Sequence, residues 1–309
     1  MAKKIQENVQ RVIVGKDTQI ELLLCALFAG GHALLEDVPG TGKTLLARSL
    51  AASISGRFGR IQFTPDLLPS DVTGMSVFDP KDTAFHFRPG PVFCNVLLAD
   101  EINRATPRSQ SAMLECMEEK QVSYDGQTYP LDAPFFVVAT QNPIETQGTF
   151  PLPEAQLDRF AIQLSMGYPS AEEQSAILER FRLDAPQERL EPVCAAQDVL
   201  QAQAAVKTVR VHAELLTYIG ALCEKTRSLE QVILGASPRA ALTLMRISQA
   251  LAAVRGRDFV TPADIQAAAG PVLAHRLALR TAFRAGKQNL AAVEEALSLT
   301  PVPTESLES

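Results

Sequence analysis

The chain has 309 residues, of which 46% are hydrophobic, and its formal net charge is −6. This length and apolar content exclude a largely disordered chain and favour about two domains. The negative net charge leaves no whole-chain basic field to attract nucleic acid or anionic lipid, so neither is an expected partner. The five cysteines are far apart and never form a Cys-x-x-Cys pair, which argues against a disulfide framework or a zinc site.

The sequence lacks a segment with the length of a transmembrane helix. Its most apolar window, residues 20–29, is much shorter than the roughly 20 residues that cross a bilayer, and we expect it to be a buried helix. The N-terminal residues include Lys3 and Lys4 but lack the apolar stretch of a secretory signal. We therefore expect a cytoplasmic protein without a membrane partner.

Short apolar runs alternate with helical patterns in the first half of the chain. This alternation is typical of a parallel sheet covered by helices, which predicts the α/β class. Two inserts, residues 75–87 and 120–131, each carry turn residues between two extended arms and predict β-hairpins. The five apolar runs that we expect to form the sheet are residues 33–37, 60–63, 95–100, 135–140 and 160–164.

The strand pattern ends at residue 168, and helical patterns follow it. We therefore expect an α/β core over residues 1–168, a small all-α domain over residues 169–298 and a flexible tail over residues 299–309. The predicted helices of the second domain span residues 171–182, 195–209, 212–227, 237–256 and 261–279.

A glycine-rich loop follows the first predicted strand. The backbone N–H groups of such a loop and the positive end of the next helix stabilise phosphate oxygens. We expect Lys43 to reach the β and γ phosphates of ATP or GTP and the Thr44 hydroxyl to ligate Mg²⁺. The general pattern G-x-x-x-x-G-K-[ST] has its first glycine where this chain has Asp37. The residues that we expect to hold the nucleotide are Val38, Pro39, Gly40, Thr41, Gly42, Lys43, Thr44 and Leu45.

Two acidic residues, Asp100 and Glu101, directly follow the apolar residues 96–99. Nucleotide hydrolysis needs an acidic site that faces the phosphate loop, and the carboxyl ends of parallel strands provide one. We expect Asp100 to hold Mg²⁺ through water and Glu101 to act as the general base that polarises the attacking water. Asn142 ends the next strand and is expected beside Glu101, where it can orient that water.

Two arginines are candidates for contact with the γ phosphate. Arg159 stands at the edge of the predicted core, where it cannot easily reach its own nucleotide but can reach a neighbour's, as an arginine finger supplied in trans. A surface salt bridge to Asp158 is the alternative interpretation. Arg239 lies in the first turn of the helix 237–256, where it can contact the γ phosphate and couple hydrolysis to movement of the helical domain. A plain surface arginine is the alternative there.

These motifs, in this order between residues 38 and 239, resemble those of the AAA+ ATPases. More narrowly, the chain resembles the MoxR family over residues 5–280. The resemblance implies a P-loop AAA+ αβα core with a small all-α lid domain, Mg²⁺-dependent hydrolysis of ATP, and a homo-oligomeric ring, usually a hexamer, with the nucleotide between subunits. The segments that carry the resemblance are residues 35–44, 87–105, 121–131, 135–160 and 235–240.

The same resemblance implies an adenine contact and a cellular role. Ile13 and Val14 would flank the base, and Gly15 would permit its close approach. Members of the family act as chaperone-like proteins that mature or activate partner enzymes, often by inserting a metal or cofactor, and frequently together with a von Willebrand factor A domain protein. We therefore expect an ATPase that uses ATP and Mg²⁺ to remodel a protein client.

Other functions share this architecture. A magnesium-chelatase-type motor subunit is one alternative, and an MCM-like nucleic-acid motor, whose hairpins follow a phosphate backbone, is another. The hairpin at residues 75–87 balances Lys81 and Arg88 against Asp79 and Asp82, whereas a hairpin that tracks DNA should be more basic. A nucleotide-sensing scaffold without activity is disfavoured because residues for a base, a sensor and a finger are all present.

Overall fold

The chain forms two compact units, each assembled from separate stretches of sequence. One unit consists of residues 1–20, 32–152 and 164–200, and the other of residues 21–31, 153–163 and 201–309. The predicted domain boundary at residue 168 stays a prediction. The computed structural model describes residues 1–38, 40–143, 148–182, 190–280 and 286–303. Pro39 of the predicted phosphate loop and the last six residues of the predicted tail lie outside the described residues.

A central sheet organises the first half of the chain. Its strands are β1 (Ala33–Glu36), β3 (Phe58–Gln62), β6 (Val96–Asp100), β9 (Phe136–Gln141) and β10 (Ile162–Leu164). They follow the order β10-β1-β9-β6-β3, and the pairs β1–β9, β6–β9 and β3–β6 are parallel. Each strand overlaps one of the predicted apolar runs, which confirms the predicted α/β class.

The register of the sheet brings several polar strand ends to one edge. Gln62 of β3 pairs with Asp100 of β6, and Glu36 of β1 pairs with Gln141 of β9. Strand β6 is buried along its whole length, as expected for an apolar strand inside a parallel sheet. The loop after β1, the two acids at the end of β6 and the polar end of β9 therefore lie side by side.

Twelve helices lie in the described part of the chain. In α5 (Pro107–Glu119), Met113, Leu114 and Met117 are buried at helical spacing, so this helix packs its apolar face into the core. The helices are α1 (Ala2–Gln10), α2 (Asp17–Phe28), α3 (Lys43–Ser53), α4 (Pro69–Thr73), α5 (Pro107–Glu119), α6 (Glu154–Leu157), α7 (Ala171–Arg180), α8 (Ala196–Val206), α9 (Ala213–Ser228), α10 (Pro238–Val254), α11 (Pro262–Leu273) and α12 (Gly286–Leu299). Among the described residues, none of these helices has both the length and the apolar character that a membrane crossing requires.

Both predicted hairpins are present and antiparallel. Hairpin 1 consists of β4 (Gly74–Asp79) and β5 (Ala84–Pro89), and hairpin 2 of β7 (Gln121–Tyr124) and β8 (Gln127–Pro130). The ring of Phe87 in hairpin 1 stacks on that of Tyr129 in hairpin 2 with 4.1 Å between centroids. The two hairpins therefore pack against each other through aromatic side chains.

A buried histidine fastens α5 to the central sheet. His32 accepts a hydrogen bond at Nδ1 from the Val137 N–H at 3.0 Å, so its Nε2–H donates to the Met117 carbonyl at 3.1 Å. Burial lowers the pKa of His32 from 6.5 to about 4, with a smaller contribution from the charge of Lys120, while the bond to Met117 opposes the shift. The ring is therefore neutral at physiological pH.

The second unit is mainly helical, as predicted, but it contains a short antiparallel pair that the sequence did not indicate. The pair consists of β12 (Val232–Leu234) and β13 (Ala278–Leu279). The predicted helix 261–279 therefore ends early, at Leu273, and continues as a 3-10 turn over Ala274–Arg276. In the first unit, β2 (Ile54–Ser55) and β11 (Cys194–Ala195) form a similarly short parallel pair.

Candidate functional site

The glycine-rich loop joins the end of β1 to the start of α3. Gly40 and Gly42 have φ angles of 82° and 90°, a left-handed backbone that other residues adopt at a cost. A Cβ atom at either glycine would meet nothing within 4 Å, so the requirement for glycine is conformational and the loop surface stays open. No side chain caps the N-terminus of α3, whose first N–H groups are therefore available to an anion.

Lys43 lies at the first position of α3 and is half-buried. Its Nζ donates to the Asp37 carbonyl at 2.5 Å and to the Gln141 carbonyl at 3.5 Å. Burial lowers the pKa of Lys43, and the nearby carboxylates oppose that shift without cancelling it; these belong to Asp37, Asp100, Glu101 and Glu36. A phosphate oxygen is a stronger acceptor than a carbonyl, so the ammonium group fits the predicted role.

Asp37 occupies the position where the general loop pattern has glycine. Its Oδ1 accepts from the Val38 N–H at 2.8 Å, and its Oδ2 accepts from the Gly167 N–H at 2.6 Å and from the Ser165 hydroxyl at 3.2 Å. The side chain therefore fastens the start of the loop to the segment that follows β10. These hydrogen bonds explain how the loop accommodates Asp37 in place of the glycine of the general pattern.

The two predicted Mg²⁺ ligands lie next to each other. Thr44 Oγ1 is 3.5 Å from Asp100 Oδ2, which also accepts from Arg60 Nη2 at 2.9 Å. The other carboxylate oxygen, Oδ1, accepts from the Thr140 hydroxyl at 2.7 Å. A hydroxyl and a carboxylate are oxygen ligands of the kind that Mg²⁺ prefers, so these residues fit the ion.

Glu101 is held in an unusual backbone conformation. Its φ of 57° is left-handed, and its N–H donates to Thr140 Oγ1 at 2.8 Å. Oε2 of its side chain accepts from Gln62 Nε2 at 2.9 Å and from Arg104 Nε at 3.0 Å. The carboxylate of the predicted general base is thus oriented by donors from β3 and from the turn after β6.

Asn142 directly follows β9 and is buried. Its carbonyl accepts from Asn103 Nδ2 at 3.4 Å, which ties the end of β9 to the turn after Glu101. The structure therefore brings Asn142 to the same edge as Lys43 and the two acids, while its role toward water stays a prediction.

The predicted adenine contacts lie between α1 and α2. Ile13 is buried, and Gly15 has a left-handed φ of 69°. The side chain of Glu173 lies directly over Gly15, since a Cβ built there would be 1.8 Å from Glu173 Oε1. Glu173 Oε2 is also 3.7 Å from Lys16 Nζ. The close approach that Gly15 permits is therefore made here by Glu173, and the adenine roles of Gly15, Ile13 and Val14 stay predictions.

Both predicted arginines belong to the second unit. Arg159 lies between α6 and β10, and Arg239 is the second residue of α10. Asp158, the alternative salt-bridge partner suggested for Arg159, pairs with Arg276 at 2.6 Å. The γ-phosphate roles of Arg159 and Arg239 stay predictions.

Sequence reasoning missed the side chains that support the acids. Thr140, Arg60, Gln62 and Arg104 each bond to Asp100 or Glu101. One signal was available: Arg60 and Gln62 alternate on β3 and must share a face of the strand. Two polar side chains on one face of a strand that lies beside the buried strand β6 indicated that this face contacts other polar groups.

Known proteins with similar sequences place this geometry in a family. Residues 32–162 match the profile of the ATPase family associated with various cellular activities (AAA), and residues 224–296 match the AAA lid domain. The Bacillus subtilis protein YeaC is 50% identical, over 98% of this chain and 95% of its own. The chaperone MoxR1 of Mycobacterium tuberculosis is 45% identical, over 88% of this chain and 74% of its own. A crystal structure of a Cytophaga hutchinsonii protein assigned as an ATPase has a TM-score of 0.89 and 38% identity, and the match covers 98% of this chain and 94% of that one.

The sheet, the phosphate loop and the helical lid together define a AAA+ ATPase. Since MoxR1 aligns with most of both chains, the narrower resemblance found in the sequence is confirmed as well. The chain belongs to the MoxR family of AAA+ ATPases. Nucleotide binding follows from that membership.

Proposed function

We propose that the chain is a Mg²⁺-dependent ATPase that hydrolyses ATP between the subunits of a homo-oligomeric ring, which we expect to be a hexamer. The movement that results from hydrolysis is used to remodel or mature partner proteins. The observation that carries this proposal is the continuous set of contacts from Thr44 to Asp100, from Asp100 to Thr140 and from Thr140 to Glu101. These contacts support the proposal because they keep Thr44 and Asp100, the proposed metal ligands, and Glu101, the proposed general base, beside the phosphate loop.

Each residue of the proposed site has a separate task. Lys43 binds phosphate oxygens, and Thr44 and Asp100 hold Mg²⁺. When bound, the ion neutralises charge on the phosphates. Glu101 accepts the proton of the attacking water, with Asn142 orienting that water. Arg159 is supplied to the nucleotide of the neighbouring subunit, where a fixed cation stabilises the charge of the transition state.

The exposed surface of hairpin 1 supports a protein client over a nucleic acid. The rings of Phe78 and Phe85 lie 5.3 Å apart, and Phe85 is 72% exposed. His86 bonds to Asp82 at the tip of the hairpin. Lys81 and Arg88 are matched by Asp79 and Asp82, so the hairpin has no excess of lysine and arginine. An aromatic surface of this kind suits an exposed polypeptide, and the relative MoxR1 is named as a chaperone. A von Willebrand factor A domain protein is the partner that we propose, on the family resemblance.

Two substitutions test the proposed site on the purified protein. Lys43→Ala should lose the thermal stabilisation that ATP gives to the wild type, because nucleotide binding itself is lost. Glu101→Gln should keep that stabilisation, while its ATP turnover falls about 10²- to 10⁴-fold because the base is absent. Wild-type turnover by Glu101→Gln would reject Glu101 as the base.

The choice of client class is tested with the same turnover assay. We expect an unfolded polypeptide to raise ATP turnover and single-stranded DNA to leave it unchanged at low salt, where electrostatic binding is strongest. Stimulation by DNA alone would instead favour a nucleic-acid motor.

A further inference from the structure

The second unit contains a buried arginine whose hydrogen bonds are all satisfied. Arg276 is 4% exposed and lies at the end of the 3-10 turn. A guanidinium carries five N–H donors. Nε donates to Asp158 Oδ1 at 2.6 Å, and Nη2 donates to the carbonyls of Asp158 at 3.2 Å and Phe160 at 2.6 Å. Nη1 donates to the carbonyls of Ala161, at 3.2 Å, and Val272.

Four of these five bonds fasten one short segment of chain, residues 158–161. This segment carries Arg159, and its backbone is held immediately before and after that residue. His275 adds a fifth bond to the segment, since its Nε2 lies 3.0 Å from the Phe160 carbonyl. The backbone from which the Arg159 side chain projects is therefore fixed by two neighbouring side chains of the same turn.

The carboxylate of Asp158 has a second partner on α10. Its Oδ2 lies 3.4 Å from the hydroxyl of Ser237, which is the N-cap of that helix and accepts from the Ala240 N–H at 3.1 Å. Arg239 is the second residue of α10. One carboxylate thus connects the segment that carries Arg159 to the helix turn that carries Arg239.

Stability alone gives little reason to keep a buried cation in this place. Desolvating a guanidinium opposes folding, and a well-packed apolar residue often stabilises a core as well or better. A buried ion pair does define one conformation, because leaving either partner unpaired is strongly destabilising. The arrangement around Arg276 is therefore better suited to fixing the geometry of residues 158–161 than to raising stability.

We infer that Arg276 is a positioning residue that holds Arg159 in place for the nucleotide of the neighbouring subunit and, through Asp158 and Ser237, links it to Arg239. The inference rests on the proposed role of Arg159 in trans. Both γ-phosphate arginines then move as one body, so a displacement of α10 at one nucleotide is passed to the arginine that serves the next nucleotide.

Arg276→Lys tests this inference because it keeps the charge but supplies at most three donors in place of five. Its ATP turnover should fall about 10- to 100-fold, the effect of an active group displaced by about 1 Å, while its affinity for ATP stays that of the wild type. The defect should lie in the neighbour's site. Mixing Arg276→Lys with Glu101→Gln, which has an intact Arg159 but lacks the base, should therefore restore part of the turnover, as mixing Arg159→Ala with Glu101→Gln should.

The mixing experiment separates the two claims. If Arg159→Ala regains activity in the mixture and Arg276→Lys does not, Arg276 acts only within its own subunit and the inference is wrong. If neither regains activity, the proposed trans role of Arg159 fails, and the inference falls with it. Regained activity in both mixtures supports both claims.

A matched variant separates positioning from general stability. Arg257→Lys alters another arginine of the same unit, which pairs with the buried Asp264 at 2.6 Å. It should lower the melting temperature without the turnover defect, and an equal turnover defect in both variants would overturn the inference. Should Arg276→Lys not fold, Asp158→Asn removes the charge that Arg276 grips with little change in shape. That variant is expected to give the same regain of turnover in the mixture, and its failure to do so would count equally against the inference.

Discussion

The hydroxyl of Thr140 donates to Asp100 Oδ1 at 2.7 Å. Thr140 Oγ1 also accepts from the N–H of Glu101 at 2.8 Å, so one side chain of β9 joins Asp100, the last residue of β6, to Glu101, which follows it. Thr140 is fully buried, so its side chain has no contact with bulk water. The relative placement of the proposed metal-binding acid, Asp100, and the proposed general base, Glu101, therefore depends on a residue of the neighbouring strand.

We predict that Thr140→Val impairs turnover more than nucleotide binding. Valine has the shape of threonine but leaves the Glu101 N–H unpaired, which should lower the free energy of unfolding by about 1–3 kcal/mol. Loss of alignment between the two acids should lower ATP turnover about tenfold or more. Thr140→Ser keeps the hydroxyl and should retain most of the activity. Equal turnover for the valine and serine variants would contradict the prediction.

Restoring the glycine of the general loop pattern should destabilise this protein. Asp37→Gly removes the acceptors for the N–H groups of Val38 and Gly167 and adds backbone freedom to the unfolded chain. We expect the free energy of unfolding in urea to fall by about 2 kcal/mol or more. Asp37→Asn keeps one acceptor and should lie between Asp37→Gly and the wild type. A glycine variant as stable as the wild type would show that these bonds contribute nothing.

Thr44 should control the affinity for Mg²⁺. In Thr44→Ala the hydroxyl next to Asp100 is absent, and the Mg²⁺ concentration for half-maximal ATP turnover should rise about tenfold or more. Thr44→Ser supplies the same oxygen and is the matched control. An alanine variant with the Mg²⁺ dependence of the serine variant would remove Thr44 from the proposed ligands.

Because of His32, the free energy of unfolding should decrease as the pH is lowered. Its pKa is 6.5 in the unfolded chain and about 4 in the folded protein, so protons bind preferentially to the unfolded state. Its contribution is complete above pH 6.5 and declines as the pH falls toward 4, by about 2 kcal/mol at pH 5. Unfolding in urea at pH 7.5 and pH 5 should show a smaller difference for His32→Gln than for the wild type. An equal pH difference for His32→Gln and the wild type would contradict the prediction.

The strands and the loop that position the site could be predicted from the sequence because each has a clear local pattern. Apolar runs bounded by turn residues marked each strand of the sheet, and the glycines marked the loop before α3. The carboxyl ends of parallel strands lie at one edge of a sheet, so the sequence alone predicted that Lys43 lies near Asp100 and Glu101.

The contacts that orient the side chains of the site depend on the register between strands and on packing between residues far apart in the sequence. No local sequence pattern encodes either of these. Thr140 reaches Asp100 only because β9 pairs with β6 in one register. Arg276 meets Asp158 across more than a hundred residues of chain. The strands β12 and β13 are too short to show a period of two. As a result, β12 fell between two predicted helices, and β13 was included at the end of the helix predicted for residues 261–279.

Glu101 has a left-handed backbone, so stability favours a different residue at this position from the one that the proposed general base requires. A residue with a long side chain in this conformation carries roughly 1–2 kcal/mol of strain, which asparagine or glycine would relieve in part. Neither replacement supplies a carboxylate. A selection that rewards survival of heating alone should therefore enrich replacements of Glu101 that fold well but lack the proposed base, and directed evolution of this protein needs a simultaneous assay for phosphate release.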